Sequence, residues 1–283
     1  MKLYEKLMKN IFVISSIVSI MSIIVIATFI IKGGFPFIAE YGLLKFLLGK
    51  EWFPTNSPSE FGLLPMILGS VYITVGALVL AVPIGVLTAI YLAKFCDRKY
   101  YRFLKSLVQL MAGIPSIVYG FFALNMIAPL IRNIQGDGLS VLTSSILLAI
   151  MILPTIIVLS ESSINSVPQS YYEGSRALGA NDEESVFKAV VPAARSGVFA
   201  SIILALGRAI GETMAVLRVC GNQVRIPDSM FDGVRTLTTN IVMEMSYAQG
   251  THRESLIATS LVLFVIILVV NSAFVVIKGR KVS

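Results

Sequence analysis

Within an otherwise apolar stretch near residues 196–217, Arg208 and Glu212 stand four residues apart, a spacing that puts both on one face of a helix. A planar guanidinium in such a place can donate two parallel hydrogen bonds to an oxyanion, and a carboxylate beside it can hold the cation between occupancies. Arg208 lies about 12 residues into the stretch, roughly 18 Å along a helix axis, at or beyond the middle of a bilayer. Charges at that depth seldom face lipid. Gly207 and Gly211 flank the pair and offer a small-xxx-small surface for another helix. Two roles fit the pattern: a pathway in which Arg208 briefly stabilises an anion, or an ion-pair lock between helices.

Other chemistry is excluded residue by residue. His252 and the scattered carboxylates have no metal-ligand spacing, and no nucleophile sits in a catalytic setting. Cys96 and Cys220 fall at opposite ends of apolar stretches, too far apart for a disulfide. No Gly-x-x-x-x-Gly-Lys-Ser/Thr phosphate loop occurs. The reading is of no enzyme active site, no metal and no cofactor.

The elements that must position the pair are membrane helices. Hydrophobic residues make up 56% of the chain and charged residues 14%, and the mean hydropathy is +0.83. That composition describes an all-α integral membrane protein. Six stretches are long enough to cross a hydrocarbon core, which takes about 20 helical residues: near 10–31, 64–93, 106–131, 138–160, 196–217 and 255–277. The first lacks a small-residue cleavage site and is kept as a span. Lys2, Lys6, Lys9, the cluster Lys94 to Lys105, then Arg176, Lys188, Arg195, Lys278, Arg280 and Lys281 fall on one side if both termini are cytoplasmic. The net charge of +7 is then an orientation signal and an attraction to the lipid bilayer, with no basic-aromatic pattern for nucleic acid.

Residues 32–63 read as an external loop, with Trp52 at the membrane boundary. The loop between the fifth and sixth spans, with Arg218, Arg225, Arg235 and Arg253 among Asp228, Asp232, Glu244 and Glu254, reads as a solvated face that meets another protein. The third span reads as one Pro-bent helix, with Ser116 and Tyr119 able to face a polar interior.

Between the fourth and fifth spans, Pro168 to Pro192 reads as a knuckle of two short helices. Pro168 suits a helix start and Gly179 the position just past its end. Asn181 caps a second helix whose first turn holds Asp182, Glu183 and Glu184, the last closing a capping box, and Pro192 ends or redirects it.

This stretch resembles the coupling loop of ABC importer permeases, whose motif is Glu-Ala-Ala, three residues, Gly, nine residues, then Ile-x-Leu-Pro. Glu173, Gly179 and Pro192 fall in register; Gly174 and Ser175 replace the alanines, and Ala189 and Val191 replace Ile and Leu. Two further tracts resemble the phosphate-import permeases. Trp52-Phe53-Pro54 and Phe61-Gly62-Leu63-Leu64-Pro65 precede the second span, and Ala112-Gly113-Ile114-Pro115-Ser116-Ile117-Val118-Tyr119-Gly120 lies in the third. On these residues the chain is identified as a member of the permease subunits of phosphate ABC importers, of the PstC type.

The resemblance implies a type I ABC importer permease fold in a prokaryotic cell membrane, with a first helix and external segment over 1–63 and a permease core over 64–283 whose coupling loop covers about 161–195. It implies two ATPase subunits, a sister permease, an extracytoplasmic phosphate-binding protein and phosphate as cargo. Glu173, Gly179 and Ala180 are the residues expected to couple to the ATPase, and Arg208 and Glu212 those expected along the pathway. Three rivals remain: a permease for sulfate or molybdate, the sister permease of the same importer, and a self-sufficient channel or ion-coupled carrier. The knuckle speaks against the last.

Overall fold

The computed structural model describes residues 2–280, with side chains described at residue 5 and from 7 to 272. The charges of Lys2, Lys6, Lys278, Arg280 and Lys281, which bear on the expected topology, lie outside the described side chains. Among the described residues, five helices are long and apolar enough to cross a membrane, or up to six if one bent pair counts as a span.

At the centre stands α7, Val141–Asn165, flanked by α3, Leu64–Ile90, and α10, Val191–Gly211. Lipid tails are as apolar as Leu, so membrane helices associate through close packing and polar contacts rather than through expulsion of water. Glycines supply the closeness. A Cβ on Gly85 would fall 2.7 Å from Ile156, one on Gly76 would collide with Ser145, and one on Gly197 with Ser163. Hydroxyls add the polar contacts: Ser145 donates to the Ile73 carbonyl at 3.3 Å, and Ser160 and Ser201 meet at 2.7 Å. Ile73, Ala77, Leu148, Ile152, Ile156 and Ala205 fill the core between the three helices.

The first helix, α1, runs Lys2–Tyr41, well past the expected end at 31. Gly33 and Gly34 let it lie against Ile257 and Ala258 of α13, Gly250–Arg280, so helical contact continues where a loop was expected. The chain then forms a short α2, Leu43–Leu48, and a hairpin of β1, Trp52–Phe53, with β2, Glu60–Phe61. Phe37, Phe46, Phe61 and Trp52 pack edge to face.

The third expected span is two helices. The first, α4, Arg98–Gly113, stops at a break at Ile114-Pro115, where the chain bends by 97°. The second, α5, Ser116–Phe122, continues through a π turn, Ala123–Ile127, into α6, Ala128–Arg132. Pro115 removes the amide that would carry the helix onward and holds Ile114 extended. α4 is amphipathic and buries no residue fully.

At the end of the bundle opposite the knuckle, Trp52 is no boundary anchor. Its ring is 4% exposed, and its Nε1 donates to Glu244 Oε2 at 2.9 Å. The other Glu244 oxygen accepts from Arg235 Nη1 at 2.6 Å, and His252 Nε2 lies 2.8 Å from Oε2. Glu244 closes α12, Leu237–Glu244. One buried carboxylate thus joins the hairpin, the long loop and the start of α13, so Arg235 and Glu244 are structural and not part of a solvated face. Asp232 pairs with Arg225 at 3.0 Å on the solvent-facing side of the loop.

Removing one partner of a buried ion pair leaves the other charge stranded. Glu244→Ala is expected to cost about 3–5 kcal/mol, read as a lower melting temperature in detergent and faster proteolysis of residues 220–250. An unchanged melting temperature would show that Arg235 and His252 find other partners.

Candidate functional site

The knuckle follows α7 directly. Pro168 precedes α8, Gln169–Ala177, and the chain leaves that helix by a Schellman turn. Gly179 takes φ +90°, Gly179 N–H donates to Arg176 O at 3.0 Å and Ala180 N–H to Ser175 O at 3.2 Å, the paired bonds that close a helix C-terminus. Asn181 then caps α9, Asp182–Ser185, with both halves of the capping box formed: Glu184 N–H donates to Asn181 Oδ1 at 2.8 Å and Asn181 N–H to Glu184 Oε2 at 3.2 Å.

Side chains fasten the corner. Arg176 donates to the Ala180 carbonyl and pairs with Asp182 at 3.2 Å, while the Tyr172 hydroxyl donates to Asp182 at 2.7 Å. That hydrogen bond to a carboxylate raises the Tyr172 phenol above its usual value. These pairs are exposed and contribute little individually; the backbone turn and the capping box hold the shape.

Beyond α9 the chain departs from the expected stop. Pro192 neither ends nor redirects the helix. A π turn, Val186–Val190, carries α9 straight into α10, and Pro192 sits in the first turn after it. The wider turn makes room for the proline ring at a place where its missing N–H is tolerated. Val186, Val190 and Ala194 pack on Ala89, Ile90 and Ile164, so the knuckle is rooted in α3 and α7. Its tip is bare. Leu178 is 92% exposed, and Glu173 lies exposed on α8 with no bonded partner among the described residues. Phe187, half exposed, stacks on Phe95.

The second expected site is rearranged. Arg208 and Glu212 do not share one helical face, because α10 ends at Gly211 and Glu212 adopts an extended conformation, φ −68° and ψ 128°. The Glu212 carboxylate turns onto the next helix, α11, Met214–Val219. Its Oε1 accepts from the amides of Thr213 and Ala215, both at 3.2 Å, which satisfies orphan donors at a positive helix end. The Glu212 carbonyl accepts from the Thr238 hydroxyl at 3.1 Å. No Arg208–Glu212 ion pair forms among the described residues.

Arg208 is exposed instead, in a stripe with Leu204 and Gly211. Neither glycine of the expected helix-packing surface is used within this chain: nothing lies within 4 Å of a Cβ built on Gly211, and Gly207 meets only Asn271 at that limit. Next to this stripe, α11 packs on α5 with Gly120 close against Ala215, and the Arg218 guanidinium lies 5.0 Å over the Phe121 ring. The Tyr119 hydroxyl is taken up by the Met111 carbonyl at 2.9 Å. Arg218 thus lies on this face, on α11, and not in the outer loop; its place just over one turn past a helix break has no local signal.

Sequence reasoning passes over one more polar group. Glu161, 1% exposed near the end of α7, receives the Tyr101 hydroxyl and Lys105 Nζ from α4.

Residues 81–282 match the family described as binding-protein-dependent transport system inner membrane component. Among curated relatives, the probable ABC transporter permease protein YqgH of Bacillus subtilis is 38% identical over 72% of this chain and 67% of its own length. The phosphate transport system permease protein PstC of Mesorhizobium japonicum is 35% identical over 85% of this chain and 80% of its own. Among solved structures, a chain of the inward-facing MetNI methionine ABC transporter aligns with a TM-score of 0.64 at 20% identity, covering 78% of this chain and 96% of that one. A chain of a bacterial alginate ABC transporter aligns with a TM-score of 0.67 at 13% identity, covering 99% and 98%. At these identities the structures speak to fold alone.

Because Glu212 acts as a cap, Glu212→Ala is expected to lower stability by about 0.5–2 kcal/mol, whereas Glu212→Gln, which keeps an acceptor oxygen, should lower it less. Thermal unfolding of the two variants in detergent checks this. Equal losses would mean that the charge and not the hydrogen bonds holds the joint.

Proposed function

We propose the role that follows from family membership: this chain belongs to the binding-protein-dependent transport system inner membrane components, and it is the permease subunit of an ATP-driven phosphate importer. Its fold is that of the type I ABC importer permeases. The observation that carries the reading is the knuckle, a rigidly capped helix pair projecting from the bundle with an exposed tip and an unpartnered Glu173. Similarity to phosphate permeases over most of the chain supports the cargo.

In this reading the knuckle faces the cytoplasm, as do both termini, and seats in a cleft of a separate ATPase subunit. The absence of a phosphate loop from the sequence supports placing ATP there. Two such ATPases, a sister permease and an extracytoplasmic phosphate-binding protein complete the importer. Residues 64–283 form the permease core. Leu178 and Glu173 meet the ATPase, with Gly179 and Ala180 holding the corner that presents them. Closure of the ATPases on ATP moves the knuckles as rigid levers and turns the pathway from one side of the membrane to the other.

The pathway face is the stripe of Arg208. Desolvating phosphate is costly, and a guanidinium offers it two directed hydrogen bonds. With Glu212 committed to α11, Arg208 keeps its charge available to the ion. Glu212 lines the same stretch as the residue that sets the break after α10.

Two variants test this in proteoliposomes holding the full complex and the binding protein. Gly179→Val forces a β-branched residue into a left-handed conformation and is expected to abolish ATP-dependent phosphate import while the bundle itself stays folded. Arg208→Gln is expected to assemble and to lose import by at least about tenfold, since one directed charge contact is worth roughly 1.5–3 kcal/mol. Import at the normal rate by an assembled Arg208→Gln complex would remove Arg208 from the pathway.

A further inference from the structure

Glu161 is a carboxylate enclosed at 1% exposure, four residues before the end of α7 and therefore close to the root of the knuckle. Both groups that reach it come from α4. Lys105 Nζ lies 3.1 Å from Glu161 Oε1, and the Tyr101 hydroxyl donates to the same oxygen while accepting from Lys105 at 2.7 Å. Tyr101 and Lys105 are one helical turn apart, so they grip the carboxylate together. If α4 rolled or lifted, it would strip both donors from a buried charge.

Little else seats α4. Leu104, Val108 and Met111 are only half-buried, and Phe103, Leu107 and Leu110 are exposed. Among the described residues, every side-chain hydrogen bond from α4 to α7 ends on Glu161. Beyond the 97° break, the Tyr119 hydroxyl reaches back to the Met111 carbonyl and braces the bend, and Gly120 of α5 rests against Ala215 of α11. The contacts therefore run without a gap from Ile164 and Val190 at the knuckle's root to Glu161, along α4 and α5, and on to the helix that Glu212 caps.

We propose that Glu161, Lys105 and Tyr101 form a strut that makes α4 and the knuckle end of α7 move as one body, so that displacement of the knuckle drives the broken third span and the face beside Arg208. The strut residues are positioning residues: they touch no solute and act through α4 and α5. The proposal rests on the chain being a phosphate importer's permease. Contiguity alone does not establish coupling, so the decisive quantity is energetic.

The experiment measures phosphate imported per ATP hydrolysed in proteoliposomes of the complete importer with its binding protein. Lys105→Met, Glu161→Gln, Tyr101→Phe and the exchange of Lys105→Glu with Glu161→Lys are compared with the unaltered complex. Coupling free energies between sites commonly correspond to about 5–150-fold, and Lys105→Met is expected to lower the import-to-ATP ratio by about tenfold while ATP hydrolysis continues. Tyr101→Phe, which removes the hydroxyl that bridges Lys105 and Glu161 but leaves their direct contact, is expected to lower it by about twofold to threefold, and the charge exchange should recover part of the loss. A merely structural contact would change the yield or melting temperature of the complex and leave the ratio of assembled complexes untouched; that result overturns the strut. If Lys105→Met fails to assemble, Tyr101→Phe decides by the same ratio, and an unaltered value overturns the proposal. Failure of the unaltered complex to import phosphate would strike the transport reading itself, an outcome separate from a working importer whose strut variants stay fully coupled.

Discussion

Three glycines allow α3 and α10 to lie against α7 at distances that no larger side chain could share. Gly76 and Gly85 on α3 face Ser145 and Ile156, and Gly197 on α10 faces Ser163. In lipid, separating two such helices exposes little apolar surface to water, so contact density and interhelical hydrogen bonds must hold them. The close pack fixes the position of α7, and α7 in turn carries what projects from it: the knuckle at one end and, through the Val141 and Leu142 amides that donate to the Asp232 and Met230 carbonyls, the long loop at the other. A rigid central helix is what the proposed coupling needs, since a push at the knuckle would otherwise dissipate in the bundle.

Each end of the bundle carries a buried carboxylate that gathers donors from other segments. Glu244 draws in Trp52, Arg235 and His252; Glu161 draws in Tyr101 and Lys105. Their partner sets differ in a way that bears on motion. Glu244 is bonded from segments far apart in sequence that close over one another, and its surroundings include the aromatic packing of Phe61 and Trp52. That makes a cap. Glu161 is bonded from a single amphipathic helix with sparse packing of its own, which suits the strut proposed for it.

What could be read from the sequence was what is decided locally. Gly179 and Asn181 announced the knuckle because a Schellman turn and a capping box depend on residues within a few positions of each other. Apolar length placed the second, fourth and sixth spans closely, whereas the fifth, expected over 196–217, begins earlier and breaks at Glu212. The errors lie where a distant partner or a backbone irregularity overrides the local signal. Pro192 reads as a stop, yet a π turn before it absorbs the ring. Arg208 and Glu212 read as a pair, yet the amides of Thr213 and Ala215 outcompete the guanidinium for the carboxylate. Trp52 reads as an interfacial anchor, and Glu244, 192 residues away, claims its ring nitrogen. No periodicity records such a contact.

The exposed stripe of α10 has a further consequence for assembly. Within one chain Arg208 is exposed beside Gly211, which nothing covers, and Gly207, which meets only Asn271 at 4.0 Å. Left in hydrocarbon, a guanidinium there would cost at least about 2.5–3.5 kcal/mol, and the cost is avoided if a second permease subunit encloses the stripe around water and solute. The same glycines that fail to pack inside the chain then become the place where another helix draws near, and the charge lies on the inside of the joint. The pathway is then a property of two subunits. Glu212, by ending α10 and turning its carboxylate into a helix cap, leaves the Arg208 charge without that partner, which is what the proposed pathway role requires of it.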